Sequence, residues 1–266
     1  MLADISYESL KQAYSSVGIT EGKVVYVTGD ITKVGISLSL SKFELLNLHL
    51  KVIMDLIGPE GTIVVPTHSF SLCNTNIPFS LKNTPSETGA FSEFIRNQAG
   101  SIRQLHPFSS RTAIGKEASY ICENTAPHSY GMHTPFSRML ELDSMFISVG
   151  IHPKQIVSLV HQCESDMNVP YRYTKEFIHP IETGQHTEMK AFYHLVTYLN
   201  CDIKRDKNVK IFENFEKKFK LNHSKMCHGS VWGFNMREFY KATTELMRDD
   251  IYSWLAEPPN SRPYQA

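Results

Sequence analysis

Residues 148–173, "SVGIHPKQIVSLVHQCESDMNVPYRY", hold the pair of side chains most suited to chemistry. An apolar run closes on Gly150, a polar loop follows, and a helix-like segment carries His161 and Glu164 three residues apart. On a helix that spacing puts both on one face. A carboxylate beside an imidazole orients the ring and raises its basicity, which general-base catalysis needs. The same pair could supply two metal ligands, but HxxE is short of a full set and no HExxH occurs. The third reading is a structural histidine, the commoner outcome for one His near one Glu on a helix. Nucleophilic catalysis has less to stand on. There is no GxSxG elbow, and Cys163, two residues after His161, points away from it on a regular helix.

Three other stretches carry site-like chemistry. "TGDITKVG" (28–35) follows an apolar run, and such a junction can present backbone N–H groups to a phosphate or thioester chain. It is neither a Walker loop nor a GxGxxG, so spacing alone leaves a plain turn as the readier explanation. "QLHPFSSRTAIG" (104–115) gathers His106, Ser109, Ser110 and Arg111. Hydroxyls and a guanidinium there suit a phosphate, and an ordinary surface loop suits the residues equally well. In "YGMHTPFSRMLELD" (130–143), Gly131 and Pro135 fix a turn, and Arg138 is expected to pair with a local carboxylate such as Glu141.

These residues need elements to place them. "KVVYVTGD" (23–30), "GTIVVPTHS" (61–69) and "DSMFISVGI" (143–151) read as strands. "SKFELLNLHLKVIMDLIG" (41–58) reads as a helix with a Ser cap and a terminal Gly, and "TGAFSEFIRNQ" (88–98) as a shorter one. "RTAIGKEASYICEN" (111–124) is a strand or turn leading into another helix. Strands alternating with helices predict an α/β fold with a mixed central sheet flanked by helices. Ligands of such sheets bind beyond the carboxyl ends of the strands, so the loops after Val27, Val65 and Val149 are the places for a site. Later, "EMKAFYHLVTYL" and "NVKIFENF" are expected to be strands, and 235–257 a packing helix with Met236, Phe239, Leu246, Met247, Trp254 and Leu255 near one face. Nothing resembling a linker or a repeat divides the chain. The expectation is one domain over 1–266, elaborated from about residue 180.

Composition narrows the function classes. With 27 basic and 27 acidic residues and a 41% apolar content, this is an ordinary globular composition. The most basic segment, 202–225, has acids interspersed and reads as a solvated strand-and-loop face, not a nucleic-acid stripe. No apolar run approaches a membrane span, and the first residues, "MLADISYESLKQAYSS", have no secretory apolar region, so a cytoplasmic protein is expected. Five scattered cysteines without a CxxC pair argue for reduced thiols over disulfides or structural zinc.

The order of the motifs resembles the aminoglycoside 3-N-acetyltransferase (antibiotic N-acetyltransferase) family. The matching segments are "VVYVTGDITKVG", "GTIVVPTHSFS", "NTPSETGAFSEFIRNQAGSIRQLHPFSSRTAIG", "YGMHTPFSRMLELDSMFISVGI", "SLVHQCE" with "NVPYRY", and "HGSVWGFNMREFYKATTELM". They run from about residue 20 to residue 250. The resemblance implies acetyl-CoA as acyl donor, no metal, and direct transfer to the amine of an amino sugar. It implies His161 as general base with Glu164 as its acid and Ser158 at the family's hydroxyl position. It implies a cofactor site of Thr28, Asp30, Thr32, Lys33, Gly35, Ser109 and Ser110, and acceptor contacts from His68, Glu87 and Arg172. Two departures border the cleft: "HPKQIV" replaces a segment rich in small polar residues, and Gly29-Asp30 stands where the family commonly has a serine.

An aminoglycoside is polycationic and calls for an acidic cleft, whereas this chain is neutral overall and its candidate loops carry Lys33, Arg111, Arg138, Arg172 and Lys175 as well as acids. The expected acceptor is therefore a nucleotide-linked amino sugar, such as a dTDP-3-amino-dideoxyhexose of polysaccharide biosynthesis. The alternatives are an aminoglycoside acetyltransferase conferring resistance and a non-catalytic CoA- or carbohydrate-binding protein. A zinc-dependent hydrolase built on His161, Glu164 and another His ranks below these. Nucleic acid and membrane are not expected partners, and a homodimer is one option for assembly.

Overall fold

A computed structural model describes residues 5–35, 39–184, 186–206 and 208–265; the first four residues of the amino-terminal stretch read above lie outside it. In chain order the elements are α1 (Tyr7–Ser16), β1 (Val24–Gly29), α2 (Lys42–Ile57), β2 (Thr62–Pro66), α3 (Ala90–Arg96), β3 (Ile102–Arg103), β4 (Arg111–Gly115), α4 (Ala118–Cys122) and α5 (Pro135–Glu141). There follow β5 (Met145–Val149), α6 (Pro153–Ile156), α7 (Val160–Asp166), β6 (Arg172–Thr183), β7 (His186–Thr197), α8 (Val209–Lys218), β8 (Asn222–Met226), β9 (Gly229–Asn235) and α9 (Met236–Asp249).

Strand alternation builds two cores. Along β1, Val24 and Tyr26 face one side while Val25 and Val27 face the other; Val64 opposes Ile63 and Val65 in β2, and Phe146 opposes Met145 and Ile147 in β5. Both faces are apolar, so both must be covered. Side chains of α1, α2 and α3 cover one, and those of α4, α5, α7, α8 and α9 cover the other. The sheet order is β3-β4-β2-β1-β5-β9-β8. Its centre is parallel, β1 pairing with β2 and β5, while β4, β9 and β8 run antiparallel to their neighbours. The mixed central sheet with flanking helices is the fold class read from the sequence. The parallel trio matters most, because it brings three carboxyl ends to one edge. A separate two-stranded hairpin, β6–β7, is tied on by bridges at Phe79 and His128. None of the helices among the described residues is long and apolar enough to cross a membrane.

Three expectations require correction. "NVKIFENF" is helix α8, not a strand: Ile211, Phe212 and Phe215 fall on one helical face and are all buried, so the 202–225 segment is not wholly a solvated strand-and-loop face either. Lys207 of that segment lies outside the described residues. The 235–257 helix stops at Asp249, because Asp250 turns extended and its side chain accepts the Tyr252 N–H at 3.0 Å. Trp254 and Leu255 are buried beyond the helix. Arg138 does not pair with Glu141. It donates to the carbonyls of Tyr120, Glu123 (2.6 Å) and Asn124 (2.7 Å), while Glu141 accepts from the Tyr120 hydroxyl.

Candidate active site

The β1–β5 junction is closed by glycine. Gly29 has φ +115°, and a Cβ there would sit 2.1 Å from the Val149 carbonyl oxygen; Gly150, at φ +70°, faces the Asp30 carbonyl at 2.2 Å in the same sense. Only glycine lets the two strand ends approach this closely. The Asp30 N–H then donates to the Val149 oxygen at 2.8 Å, and the Asp30 carboxylate accepts from Thr32 N–H (3.0 Å) and Thr32 Oγ1 (2.6 Å). The turn thus leaves β1 with Thr28 aimed at a cavity, Thr32 and Lys33 exposed outside it, and Gly35 buried against Ile5 and Cys227.

That cavity, about 390 Å³, lies beyond the carboxyl ends of β1, β2 and β5. Its walls bring Thr28, His68, Ser158, His161 and Arg172 together with residues the sequence did not single out: Tyr26, Thr88, Tyr130 and His194. Helix α7 presents His161. Its Gln162 side chain accepts the Gly131 N–H at 3.0 Å, which fixes the Tyr130 loop to the same helix. His161 Nδ1 lies 2.5 Å from Glu164 Oε2, with Glu164 fully buried and the His161 side chain 21% exposed. At that distance Nδ1 carries the proton and donates to the carboxylate, so Nε2 holds the lone pair. Arg172 Nε approaches the same Oε2 at 2.8 Å as an ion pair whose N–H is not aligned for a hydrogen bond, and Arg172 Nη2 lies 3.3 Å from His161 Nδ1. With Nδ1 protonated, that last approach is a contact between two donors.

Burial is the largest influence on His161 and lowers its pKa; Glu164 opposes this and Arg172 reinforces it, leaving a net fall below 6.5 and a neutral ring near neutrality. Burial alone would raise Glu164, but the hydrogen bond and charge of His161, with Arg172, outweigh it and hold the carboxyl below its ordinary value. His68 and His194 are also neutral. Burial, then the Arg111 charge, pushes His68 well down, and burial brings His194 to about 4. Among the described residues the cavity walls offer no carboxylate. Arg111 lies behind them, fully buried, its guanidinium 4.4 Å from the Phe136 ring centre and 5.4 Å from that of Tyr130. Its Nη1 donates to Ser109 O at 2.6 Å, while Nε and Nη2 have no hydrogen-bond partner.

The remaining sequence-predicted residues lie apart from His161. Ser109 and Ser110 are buried in a network: Ser109 accepts from Arg111, and Ser110 accepts from Arg103 Nε (3.2 Å) and donates to Thr67 O (2.5 Å). Glu87 is exposed, accepts from Ser71 N (3.1 Å) and lines a separate hollow of about 270 Å³; its own N–H reaches His68 O at 2.8 Å. A larger cleft of about 780 Å³ near β3 contains none of the predicted site residues. Both of its arginines are engaged, Arg96 by Glu93 and Arg103 by the carbonyls of Thr84 and Thr67. Among the described residues no group of three or more His, Cys, Asp or Glu is placed to hold a metal ion.

Tyr26, Tyr130 and His194 were missed because each reads as core or strand. In "AFYHLVTYL", His194 occupies one position in a strand-like run, and only the placement of the hairpin turns it into the cavity.

The family profile described as aminoglycoside 3-N-acetyltransferase matches residues 46–248. A curated relative, aminoglycoside N(3)-acetyltransferase III of Pseudomonas aeruginosa, is 22% identical over 177 residues, covering 60% of this chain and 63% of its own length. The match therefore spans less than two thirds of that relative. Among solved structures, AAC-IIIb in binary complex with CoASH superposes with a TM-score of 0.79 at 16% identity, covering 93% of this chain and 97% of the other. AAC-VIa bound to sisomicin gives 0.79 at 16% identity over 93% and 98%, and the AAC(3)-IVa apoenzyme 0.77 at 18% over 97% and 94%.

Proposed function

Because the chain belongs to the aminoglycoside 3-N-acetyltransferase family, we propose that it transfers an acetyl group from acetyl-CoA to a primary amine of an aminoglycoside-type amino sugar. The observation that carries this reading is the His161–Glu164 pair at the cavity wall. With Nδ1–H held by a buried carboxylate, Nε2 is the basic nitrogen left for an incoming amine.

The acyl donor supplies a thioester carbonyl. His161 Nε2 takes the proton that the amine must lose, directly or through water, as the amine nitrogen bonds to the acyl carbon. Glu164 stabilises the imidazolium so formed, and Arg172 keeps Glu164 ionised. The C–S bond then breaks, and the proton held by His161 is available to the departing thiolate. In this reading Thr28 touches the reacting end of the donor, and Asp30, Thr32, Lys33 and Gly35 shape the turn that receives its pantetheine and pyrophosphate. Ser109 and Ser110 brace the second loop from within. His68 and Arg172 face the acceptor from the cavity wall, and Glu87 receives a more distant part of it from the neighbouring hollow. The relative solved with CoASH supports the donor, and the one bound to sisomicin supports the acceptor class.

A second acceptor, the nucleotide-linked amino sugar, is favoured by one observation: among the described residues the walls combine Arg172 with neutral histidines and no carboxylate, and Arg111 lies behind them. A polycation would meet little compensating charge there, whereas a phosphate-bearing sugar would. Thiol release from acetyl-CoA against aminoglycosides and nucleotide-linked amino sugars, with His161→Ala as control, tests both. Release with aminoglycosides, lost in the variant, supports the main reading. Release confined to nucleotide sugars moves the acceptor and keeps the base. No release with either panel, despite tight donor binding, sinks the enzymatic reading and leaves a binding protein.

A further inference from the structure

We infer that Trp254, in the segment following α9, is a positioning residue that seats the His161 ring and holds Arg172 against Glu164. The inference rests on the general-base reading of His161. Trp254 lies beyond residues 46–248, the span matched by the family profile, and six residues past the last of them. Nothing in its local sequence, "IYSWLAEP", marks it as more than a core aromatic.

Its surroundings say more. Trp254 is 2% exposed. The His161 ring meets it edge-on, with centroids 5.7 Å apart and planes at 69°. The Arg172 guanidinium lies over the indole at 4.9 Å, and that of Arg205 at 4.8 Å. Tyr171, the residue before Arg172, is parallel to it within 5°. One indole thus touches both the proposed base and the cation that pairs with the base's carboxylate. Two cations over its face favour the electron-rich indole, because the ring quadrupole attracts positive charge. An aliphatic side chain would fill the volume without that attraction.

The segment that carries Trp254 is fixed independently of the site. The Trp254 carbonyl accepts from Asp206 N–H at 3.2 Å, Ala256 N–H donates to Lys204 O at 2.8 Å, and Lys210 Nζ reaches the carbonyls of Leu255 (3.0 Å) and Ala256 (3.2 Å). Lys204, Asp206 and Lys210 therefore clamp the backbone on either side of the indole, and the geometry at His161 depends on a contact made far along the chain.

The test compares Trp254→Phe and Trp254→Leu in the full chain, each shown to be folded by far-UV circular dichroism and a cooperative thermal transition. With an acceptor from the panels above, Trp254→Leu is expected to lower kcat by about tenfold or more and leave the KM for acetyl-CoA within about twofold. The acid limb of its kcat/KM profile should move upward, since water then reaches His161. Trp254→Phe, which keeps a ring under Arg172, should recover most of kcat. A folded Trp254→Leu enzyme with unchanged kcat and an unmoved acid limb overturns the inference. A second readout needs no turnover, and so separates this inference from the acetyltransferase reading. The Nδ1 proton shared by His161 and Glu164 should give a low-field proton resonance that His161→Ala lacks. Its loss in folded Trp254→Leu supports the positioning role. Its survival unchanged there overturns it.

Discussion

Replacing Glu164 with Gln separates the charge of this residue from its shape. The wild-type carboxylate accepts the His161 Nδ1 proton at 2.5 Å and lies 2.8 Å from Arg172 Nε while fully buried. A hydrogen bond to a charged group contributes roughly 1.5–3 kcal/mol, and each 1.36 kcal/mol is a factor of ten in rate. If that bond orients the base and stabilises its protonated form, Glu164→Gln lowers kcat about ten- to a hundredfold. The shift in pH dependence has a definite sign. Glu164 raises the His161 pKa, whereas burial and Arg172 lower it. Removing the charge leaves only the lowering influences, so the acid limb of kcat/KM moves to lower pH even as the plateau falls. Stability falls too, by about 3 kcal/mol or more, because Arg172 is left buried opposite a neutral amide. The assay is thiol release from acetyl-CoA over about pH 5 to 9, chosen to bracket a histidine titration, with a urea titration on the same samples. A kcat within twofold of wild type, or an acid limb that moves upward, would refute the assigned roles.

Arg172→Lys keeps a positive charge but not the planar fork that reaches Glu164 while lying over Trp254, so kcat should drop roughly tenfold while the chain stays folded; steady-state kinetics beside a melting curve checks it. Gly29→Ala must place a Cβ 2.1 Å from the Val149 carbonyl at φ +115°, and its urea midpoint should report a loss of about 3 kcal/mol or more. Stability should also fall as the pH drops from about 6.5 towards 4. His49 is buried, and burial brings its pKa to about 4. The folded value lies below the ordinary 6.5, so its contribution is complete above 6.5 and lost as pH falls through the folded value. His68 and His106 act in the same direction. Urea midpoints at several pH values should show the slope, and His49→Gln should flatten it.

Local chemistry was legible where it repeats over a short range. The α2 boundaries were written in Ser41 and Gly58: the serine caps the helix in a box with Glu44, and the glycine stops it at φ +64°. The β1, β2 and β5 runs were apolar enough to be read as strands, and their parallel order put the site where α/β sheets put sites. Helical spacing put Glu164 on the face of His161 as the nearest carboxylate in sequence but left a partner from elsewhere in the fold open, and the 2.5 Å contact decided it. The segment "NVKIFENF" misled because its β-branched and aromatic residues satisfy both periods over so short a run, and burial of one helical face decided between them. Arg138 was matched to the acid nearest in sequence, whereas the Tyr120 carbonyl of α4 and the Glu123 and Asn124 carbonyls just after it outcompete Glu141 for it.

The sequence by itself determined the strands β1, β2 and β5, the helix α2 with its two ends, and which imidazole has a carboxylate one helical turn away. Those are properties of neighbours along the chain. Tertiary structure decided what surrounds that imidazole. It brought Arg172 from β6 and Trp254 from beyond α9 against it, placed His68 and His194 in the same wall, left Ser109 and Ser110 inside a buried network, and sent Glu87 to another hollow. The charge of a cavity is set by which side chains the fold turns inward. No spacing rule can read that, because the groups in contact are separated by 11 residues (Arg172) to 93 (Trp254) and brought together only by burial of the two faces of the sheet.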